Sequence, residues 1–308
     1  MLDGVSLDQL RAFITAVDEG SFSAAARKLN RVQSAVSGWV NSLEEQIGVI
    51  LFDRTGRFPK LTPEGVLLLA DARSIVAGVD TLKARAKLIA SGLEAEVSVV
   101  VDVFFPTAAI TEAAKAFARR FPLTPIRIYV EGLGAAYQPL LDKLCSLGIV
   151  IDLPISFPSL TSERIGEIPL ITVAASSHPL ASFAQRIPRH ELAKHVQLVL
   201  TDKTELLKGR DFGVVSPLTW RLADLSTKYA FLKDCVGWGS MPLHMVEHDI
   251  ATGKLAALDI EDVPHTGHML TISAVYPKTT PPGPAGKWFI EHLKAWYEAT
   301  YPVGADKT

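Results

Sequence analysis

The spacing of apolar residues divides the chain into three regions. In the first, Leu10, Phe13, Ile14 and Val17 recur at helical intervals, Ala25, Ala26 and Leu29 follow, and Val36, Val40 and Leu43 close the series. Steps of three and four put each set on one face, so the pattern predicts three short helices around a small core. Ser23 is placed to cap the second helix, and Leu29-Asn30-Arg31 interrupts it before another opens near Val32 or Gln33. In the second region Leu68, Ala72, Ile75, Val79, Leu82, Ala86 and Ile89 alternate steps of four and three without a break. Thr62 can cap this helix, Pro63 fits its first position, Glu64 complements the positive end, and Ser91-Gly92 stops it. As a helix this segment spans about 45 Å at ~1.5 Å per residue, too long for the inside of a compact domain. Its seam predicts pairing with a copy of itself through Leu68, Ile75, Val79, Leu82 and Ile89, the alternative being packing on its own chain.

Beyond Gly92 the period switches between two and 3.6. Val97 to Phe104, Ile126 to Val130, Leu147 to Leu153, Leu170 to Ala175, Val196 to Leu200, Phe212 to Val215 and Met269 to Tyr276 read as strands. Thr107 to Phe121, Ala135 to Ser146, a segment near Pro188 to Lys194, Leu225 to Cys235, Pro242 to Thr252 and Ala285 to Tyr301 read as helices, the last entered through a proline-rich connection. Such alternation predicts an α/β unit built on a parallel sheet.

Polar positions carry the chemistry. With the apolar faces of the second and third helices turned inward, Gln33, Ser34, Ser37 and Asn41 remain outward, and these side chains have the reach to read base edges or hold phosphates. Gly48 to Arg54 and Gly56 to Pro63 form two extended runs around a glycine, a β-wing with Arg54, Arg57 and Lys60 at its tip. Asn30 is the nearest side chain able to cap the third helix, since Val32 cannot. Gly38 either lets backbone approach DNA or is a weak helix position, and Trp39 packs on sugar or against the wing.

The net charge of −2 does not advertise a nucleic-acid partner, and the first 91 residues hold only 11 Lys or Arg against 10 Asp or Glu. DNA binding must therefore rest on local clustering, which Arg27, Lys28, Arg31, Arg54, Arg57 and Lys60 provide; Glu19, Glu44 and Glu45 are expected at the core edge or the dimer side. A footprint this small implies more than one subunit on the same DNA. With 48% apolar and 21% charged residues the composition is that of a globular protein. The chain has no run of 18 apolar residues and no basic-then-apolar start, so the expectation is a cytoplasmic protein with no membrane partner. Cys145 and Cys235 lie too far apart for a metal-ligand motif and read as reduced thiols.

Leu10-Arg11-Ala12-Phe13, Gly20-Ser21-Phe22, Ala25-Ala26, Leu29, Gln33-Ser34-Ala35-Val36-Ser37, Leu43-Glu44, Gly48, Leu51-Phe52-Asp53-Arg54 and Leu61-Thr62-Pro63-Glu64-Gly65 stand in order and at the right spacing. In this respect the chain resembles the LysR-type transcriptional regulators. Ser177-His178-Pro179-Leu180, Trp220-Arg221 and Gly237-Trp238-Gly239-Ser240-Met241-Pro242 extend the resemblance to about Tyr301. It implies a winged helix-turn-helix domain over 1–61, a linker and dimerisation helix over 62–92, and a two-lobed α/β effector-binding domain over 93–308 that resembles periplasmic binding proteins, with lobe I about 93–165 and 267–301 and lobe II about 166–266. It also implies a transcription factor that recognises a pseudo-palindromic site on double-stranded DNA, a homodimer or homotetramer in contact with RNA polymerase, no cofactor and no enzymatic activity.

Ligands of such sheets sit beyond the carboxyl ends of strands, where helix N-termini favour anions. That rule selects Phe105, Pro106, Thr107, Leu133 and Gly134 in one lobe and Thr201, Asp202, Gly237 and Trp238 in the other, around a small effector, carboxylated or aromatic. Thr107 and Thr201 are hydroxyl contacts or simply helix caps, and Asp202 argues against an anion close to it. The rival is an enzyme: His244-Met245-Val246-Glu247-His248 has the H-x-x-E-H spacing of inverted zinc peptidases, with His265, His268 and Glu291 as further ligands. Against it, Leu243, Val246 and Ile250 form that helix's buried stripe and leave His244, Glu247 and His248 in solvent.

Overall fold

The computed structural model describes residues 4–56, 59–183, 185–208, 210–261, 263–264 and 267–301. It divides into two units, Met1–Ser91 and Gly92–Thr308.

The first unit comprises α1 (Leu7–Asp18), α2 (Phe22–Lys28), α3 (Gln33–Ile47), β1 (Phe52–Asp53), β2 (Lys60–Leu61) and α4 (Pro63–Ala90). A reciprocal capping box starts α1, with Gln9 N donating to Ser6 Oγ (3.3 Å) and Ser6 N to Gln9 Oε1 (2.7 Å). The cap of α2 is Ser21, which accepts from Ala24 N, and not Ser23 as expected. Gly20, at φ +70°, turns the chain and leaves Ser21 extended, two positions earlier than the alanine run indicates. Asn30 does not cap α3 either: it occupies the left-handed region at φ +54°, between the helices, and α3 begins after Val32 with no side-chain cap. Phe13, Val36, Val40, Leu43 and Leu51 fill the core, and Phe52 receives the rings of Phe13 and Phe22 at 5.7 and 5.2 Å, which packs the wing on the helices.

Thr62 starts α4 by accepting from Gly65 N (2.9 Å) while donating to Ile50 O (2.7 Å). Gly65 is required there, because a Cβ would lie 2.3 Å from Leu51 O. Over its 28 residues α4 reaches about 42 Å. Ala72 is buried and Leu68, Leu69 and Val76 pack on the unit's own core. Leu68 is thus used within its own chain, whereas Ile75, Leu82 and Ile89 are 52%, 66% and 44% exposed. Ion pairs Arg73–Asp18 (2.6 Å) and Arg11–Asp80 (2.9 Å) hold α4 along α1, each worth at most about 1 kcal/mol at this exposure.

The second unit comprises β3 (Val97–Asp102), α5 (Thr107–Arg120), β4 (Ile126–Glu131), α6 (Gln138–Leu141), β5 (Leu147–Ile151), β6 (Leu160–Ala175), α7 (Arg189–Leu192), β7 (Gln197–Leu200), β8 (Thr219–Leu222), α8 (Leu225–Lys233), β9 (Trp238–Pro242), α9 (Leu243–Ala251), β10 (Leu255–Ala257), β11 (His268–Pro277) and α10 (Pro284–Thr300). Nine of the described strands form one sheet in the order β4-β3-β5-β11-β6-β9-β7-β8, with β10 beside β6. Pairs around β3 and β7 are parallel, but β6 and β11 run antiparallel to their neighbours. The sheet is therefore mixed, not parallel as expected. Only the apolar end of β6 is legible in sequence; Thr161 to Arg164 is an unbroken polar run with no strand alternation, yet it belongs to the strand, which reaches 16 residues.

Two further expectations fail for local reasons. Phe212 to Val215 is not a strand, because buried Gln197 takes its backbone: Gln197 Nε2 donates to Gly213 O (2.7 Å) and Oε1 accepts from Val215 N (2.9 Å) and Ser216 N (3.0 Å). Ala135 to Ser146 is not one helix but a 3-10 turn at Leu133–Ala136 followed by the short α6, which ends as Lys143 enters the left-handed region at φ +58°. At the far end the α10 amides of Ala285 and Gly286 donate to Glu94 (3.0 and 2.9 Å), and Gly283 and Gly286 leave the room its carboxylate needs. Among the described residues no helix is long and apolar enough to cross a membrane.

Candidate functional site

The outward face of α3 carries Gln33, Ser34 and Asn41 exposed and Ser37 half-buried, with Arg31 exposed at its start. Ser23, freed from capping, donates its hydroxyl to Gln33 Oε1 (2.9 Å), which orients the Gln33 amide and leaves its NH2 hydrogens outward. Among the described residues nothing would meet a Cβ at Gly38 within 4 Å, so no described neighbour demands glycine there. Trp39 packs against the unit's own core.

The wing differs from a row of free cations. Arg54 donates to Glu44 Oε2 (2.8 Å) and lies 5.2 Å over the Phe22 ring. Glu44 Oε1 accepts from Leu51 N (2.7 Å) and Phe52 N (3.1 Å), so this carboxylate pins the wing's base to α3. Hydrogen bonds from Thr55 hold the Asp53 carboxyl below its ordinary range and order the turn. Lys60 is exposed on β2, Lys28 pairs with Glu19 (2.6 Å), and Arg57 lies outside the described residues.

The second unit contains a cavity of about 340 Å³ between the ends of β3 and β5 and the sheet around β7 and β9. Phe104, Leu133, Leu153, Leu198, Trp238 and Leu270 form apolar walls. Asp152, Arg189 and Glu261 are exposed at its rim, while Lys228 is 5% exposed. Lys228 Nζ donates to Ser240 O (2.8 Å), and burial pulls its ammonium down to about 8. Thr172 and Ser240 face each other across β6 and β9 with their hydroxyl oxygens 3.1 Å apart, and both line the cavity.

Of the residues selected from sequence, Leu133 and Trp238 line this cavity, and the others are used elsewhere. Phe105 belongs to the hydrophobic core, buried Pro106 precedes α5, and exposed Thr107 is its first residue rather than its cap. The anion expected at the turn beyond β4 is the protein's own: Asp202 Oδ1 accepts from Ala135 N (3.0 Å) and Oδ2 from Thr204 Oγ1 (2.5 Å), while a Cβ on Gly134 would lie 2.4 Å from Oδ2. Thr201 donates to Asp211 (3.2 Å), lining a separate, smaller hollow. Gly237 lets β9 approach Val196 O, to which a Cβ would come within 2.3 Å. Trp238 is a wall, since its indole N–H donates to His195 O (3.3 Å).

Sequence reasoning missed Lys228, although a signal exists. On α8 the buried residues are Leu225, Lys228 and Leu232, so the lysine occupies a position of the apolar stripe. It also missed Asp102, 1% exposed at the end of β3, whose Oδ1 accepts from Phe104 N (3.0 Å) while Oδ2 has no hydrogen-bond partner among the described residues. Burial pushes that carboxyl up to about 7, against the pull of nearby amides. In the H-x-x-E-H segment His244 is half-buried rather than solvated, its Nδ1 has no hydrogen-bond partner among the described residues and its imidazole is pushed down by burial, and Asp249 rather than Ile250 completes the buried face with Val246. Among the described residues no three His, Cys, Asp or Glu are grouped to hold a metal.

Residues 7–66 match the bacterial regulatory helix-turn-helix family of the lysR type, and residues 90–298 match the LysR substrate binding domain. The chain is 29% identical over 297 residues to the transcriptional regulator AceR of Acinetobacter baumannii, covering 94% of this chain and 97% of that one. It is 28% identical over 261 residues to the transcriptional activator AllS of Klebsiella pneumoniae, covering 81% and 94%. In structure it is similar to OxyR of Corynebacterium glutamicum, with a TM-score of 0.59, 22% identity, and coverage of 96% and 94%. Helix-turn-helix, wing, linker helix and cleft-bearing α/β unit are the parts these matches span, and the chain belongs to the LysR family of DNA-binding transcriptional regulators.

Proposed function

We infer that two copies pair through α4 and set their α3 helices into successive major grooves of a pseudo-palindromic promoter site, ~34 Å apart. A small effector in the cleft of the second unit then changes how copies associate, within a cytoplasmic homotetramer, and so alters DNA bending and contact with RNA polymerase. The observation that carries the reading is the uncovered polar face of α3, headed by a glutamine that Ser23 braces. Gln33 Nε2 is suited to a base-edge acceptor, Ser34, Ser37 and Asn41 to the groove, and Arg31, Lys60 and Arg57 to phosphates. Arg54 positions the wing through Glu44 and adds charge beside it.

Titration of the protein against its own upstream intergenic DNA and a scrambled duplex, at two salt concentrations, tests this. Gln33→Ala should lose about 1–3 kcal/mol of preference for the specific site. Arg31→Ala should weaken both duplexes alike and reduce the salt slope by about one. Equal loss on both duplexes for the Gln33 variant would remove it from base reading.

Pairing through α4 makes a separate prediction. Leu82 is 66% exposed on the seam, and Leu82→Glu places a charge where two apolar faces meet. Sedimentation velocity should find the variant monomeric at concentrations where the parent is dimeric or larger; an unchanged sedimentation coefficient would assign pairing to another surface.

A further inference from the structure

We propose that the cleft takes a small organic monocarboxylate with an apolar body, and that Lys228 binds its carboxylate with the Thr172 and Ser240 hydroxyls lining the same wall. The proposal rests on the effector reading above and gives that effector a chemical class.

Among the described residues Lys228 is the only buried charge that lines the cavity. Its ammonium has three donor hydrogens, and one is used, by Ser240 O at 2.8 Å. No carboxylate lies within ion-pair distance of it among the described residues, so within the described chain only the bond to Ser240 O offsets the cost of taking this charge out of water, and no opposite charge neutralises it. Its surroundings are built to admit it. A Cβ on Gly239 would stand 3.2 Å from Lys228 Cε, so the glycine leaves the lysine stem a path across β9. The Gly237-Trp238-Gly239-Ser240 segment thereby acquires a use: one glycine brings β9 close to β7, the other passes the lysine, Trp238 is a wall and Ser240 supplies acceptor and hydroxyl.

The size and chemistry of the cavity select the rest of the ligand. At about 340 Å³ it has room for a small organic molecule. An inorganic anion would leave the walls of Leu133, Leu153 and Leu198 facing water, and a single buried cation matches one carboxylate rather than two.

The test uses the full-length chain and three carboxylates, hexanoate, phenylacetate and indole-3-acetate, each against its neutral carboxamide, by isothermal titration calorimetry. At least one carboxylate should bind, and its amide about 10- to 100-fold more weakly, the range of a hydrogen bond to a charged group. Lys228→Met replaces the lysine stem as far as Cε, removes the buried charge, and should lose the carboxylate by a similar factor while melting no lower than the parent. Binding of none of the three, amides equal to acids, or undiminished binding in the Met variant overturns the proposal. The amide comparison needs no variant and stands if Lys228→Met fails to fold. Promoter titration with the bound carboxylate separates the two levels: binding without any change in DNA affinity or bend upholds the ligand class and sinks the effector reading.

Discussion

Phe13→Ala should lower the stability of the N-terminal unit by about 3–5 kcal/mol and abolish specific DNA binding. Phe13 is 1% exposed and lies where α1, α3 and the wing meet, its ring edge-on to Phe52 at 5.7 Å. Phe52 also carries Phe22 of α2, so truncation at one position loosens the packing of all three elements around the wing. Small α3 residues and an alanine-rich α2 offer little to collapse into the space, which places the cost at the upper end of the range. Domains of this size are stable by about 5–15 kcal/mol in total, so a loss this large leaves a substantial unfolded fraction at 37 °C. Calorimetric melting of the full-length variant should show an early transition with the later one retained, together with loss of promoter binding. A single unshifted melt, or a cost under about 1 kcal/mol, would mean that Phe13 is not central to the unit.

The second large effect concerns Asp102 and depends on pH. In the folded chain burial holds this carboxyl protonated up to about pH 7, whereas its ordinary value is 3.8. Between those values the folded chain retains a proton that the unfolded chain has released, so stability falls as pH rises from about 4 to about 7 and is level above. The full penalty has an upper bound of about 4 kcal/mol. Asp102→Asn cannot ionise, yet its oxygen can still accept from Phe104 N as Oδ1 does at 3.0 Å. The variant should therefore lack this fall between pH 4 and 7 and be more stable than the parent at pH 8 by about 2 kcal/mol, the rest offset by a buried amide hydrogen without an acceptor. Urea unfolding at pH 4.5, 6 and 8 measures the difference. Parallel curves for parent and variant would show that Asp102 ionises freely in the folded state.

Much of the N-terminal unit is legible in sequence because its signals are local. Leu10, Phe13, Val36, Val40 and Leu43 announce their helices by spacing within a few turns, and Thr62-Pro63-Glu64 marks the start of α4 to the residue. The errors there are of one or two positions and come from backbone geometry: Gly20 and Asn30, both at positive φ, move the caps away from the side chains that composition favours. Ser23, misread as a cap, is instead the brace of Gln33, a contact across the turn between two helices.

By itself, then, the sequence determined the three-helix core, the wing, the exposed polar face of α3, the linker with its apolar seam, and an α/β unit after it, since each of these is written in the period of neighbouring residues. The tertiary structure decided which residues share the cleft. Asp202 meets Ala135 across 67 positions of the chain, Gln197 holds a loop 16 positions away, and Lys228 is buried because β9 passes over its stem. Whether a polar side chain at such a position faces water, a backbone amide or a cavity depends on which distant segment covers it, and no local periodicity encodes that. Lys228 and Asp102 owe their electrostatic character to this covering alone: an ordinary lysine and an ordinary aspartate, carried out of water by strands and helices far away in the chain.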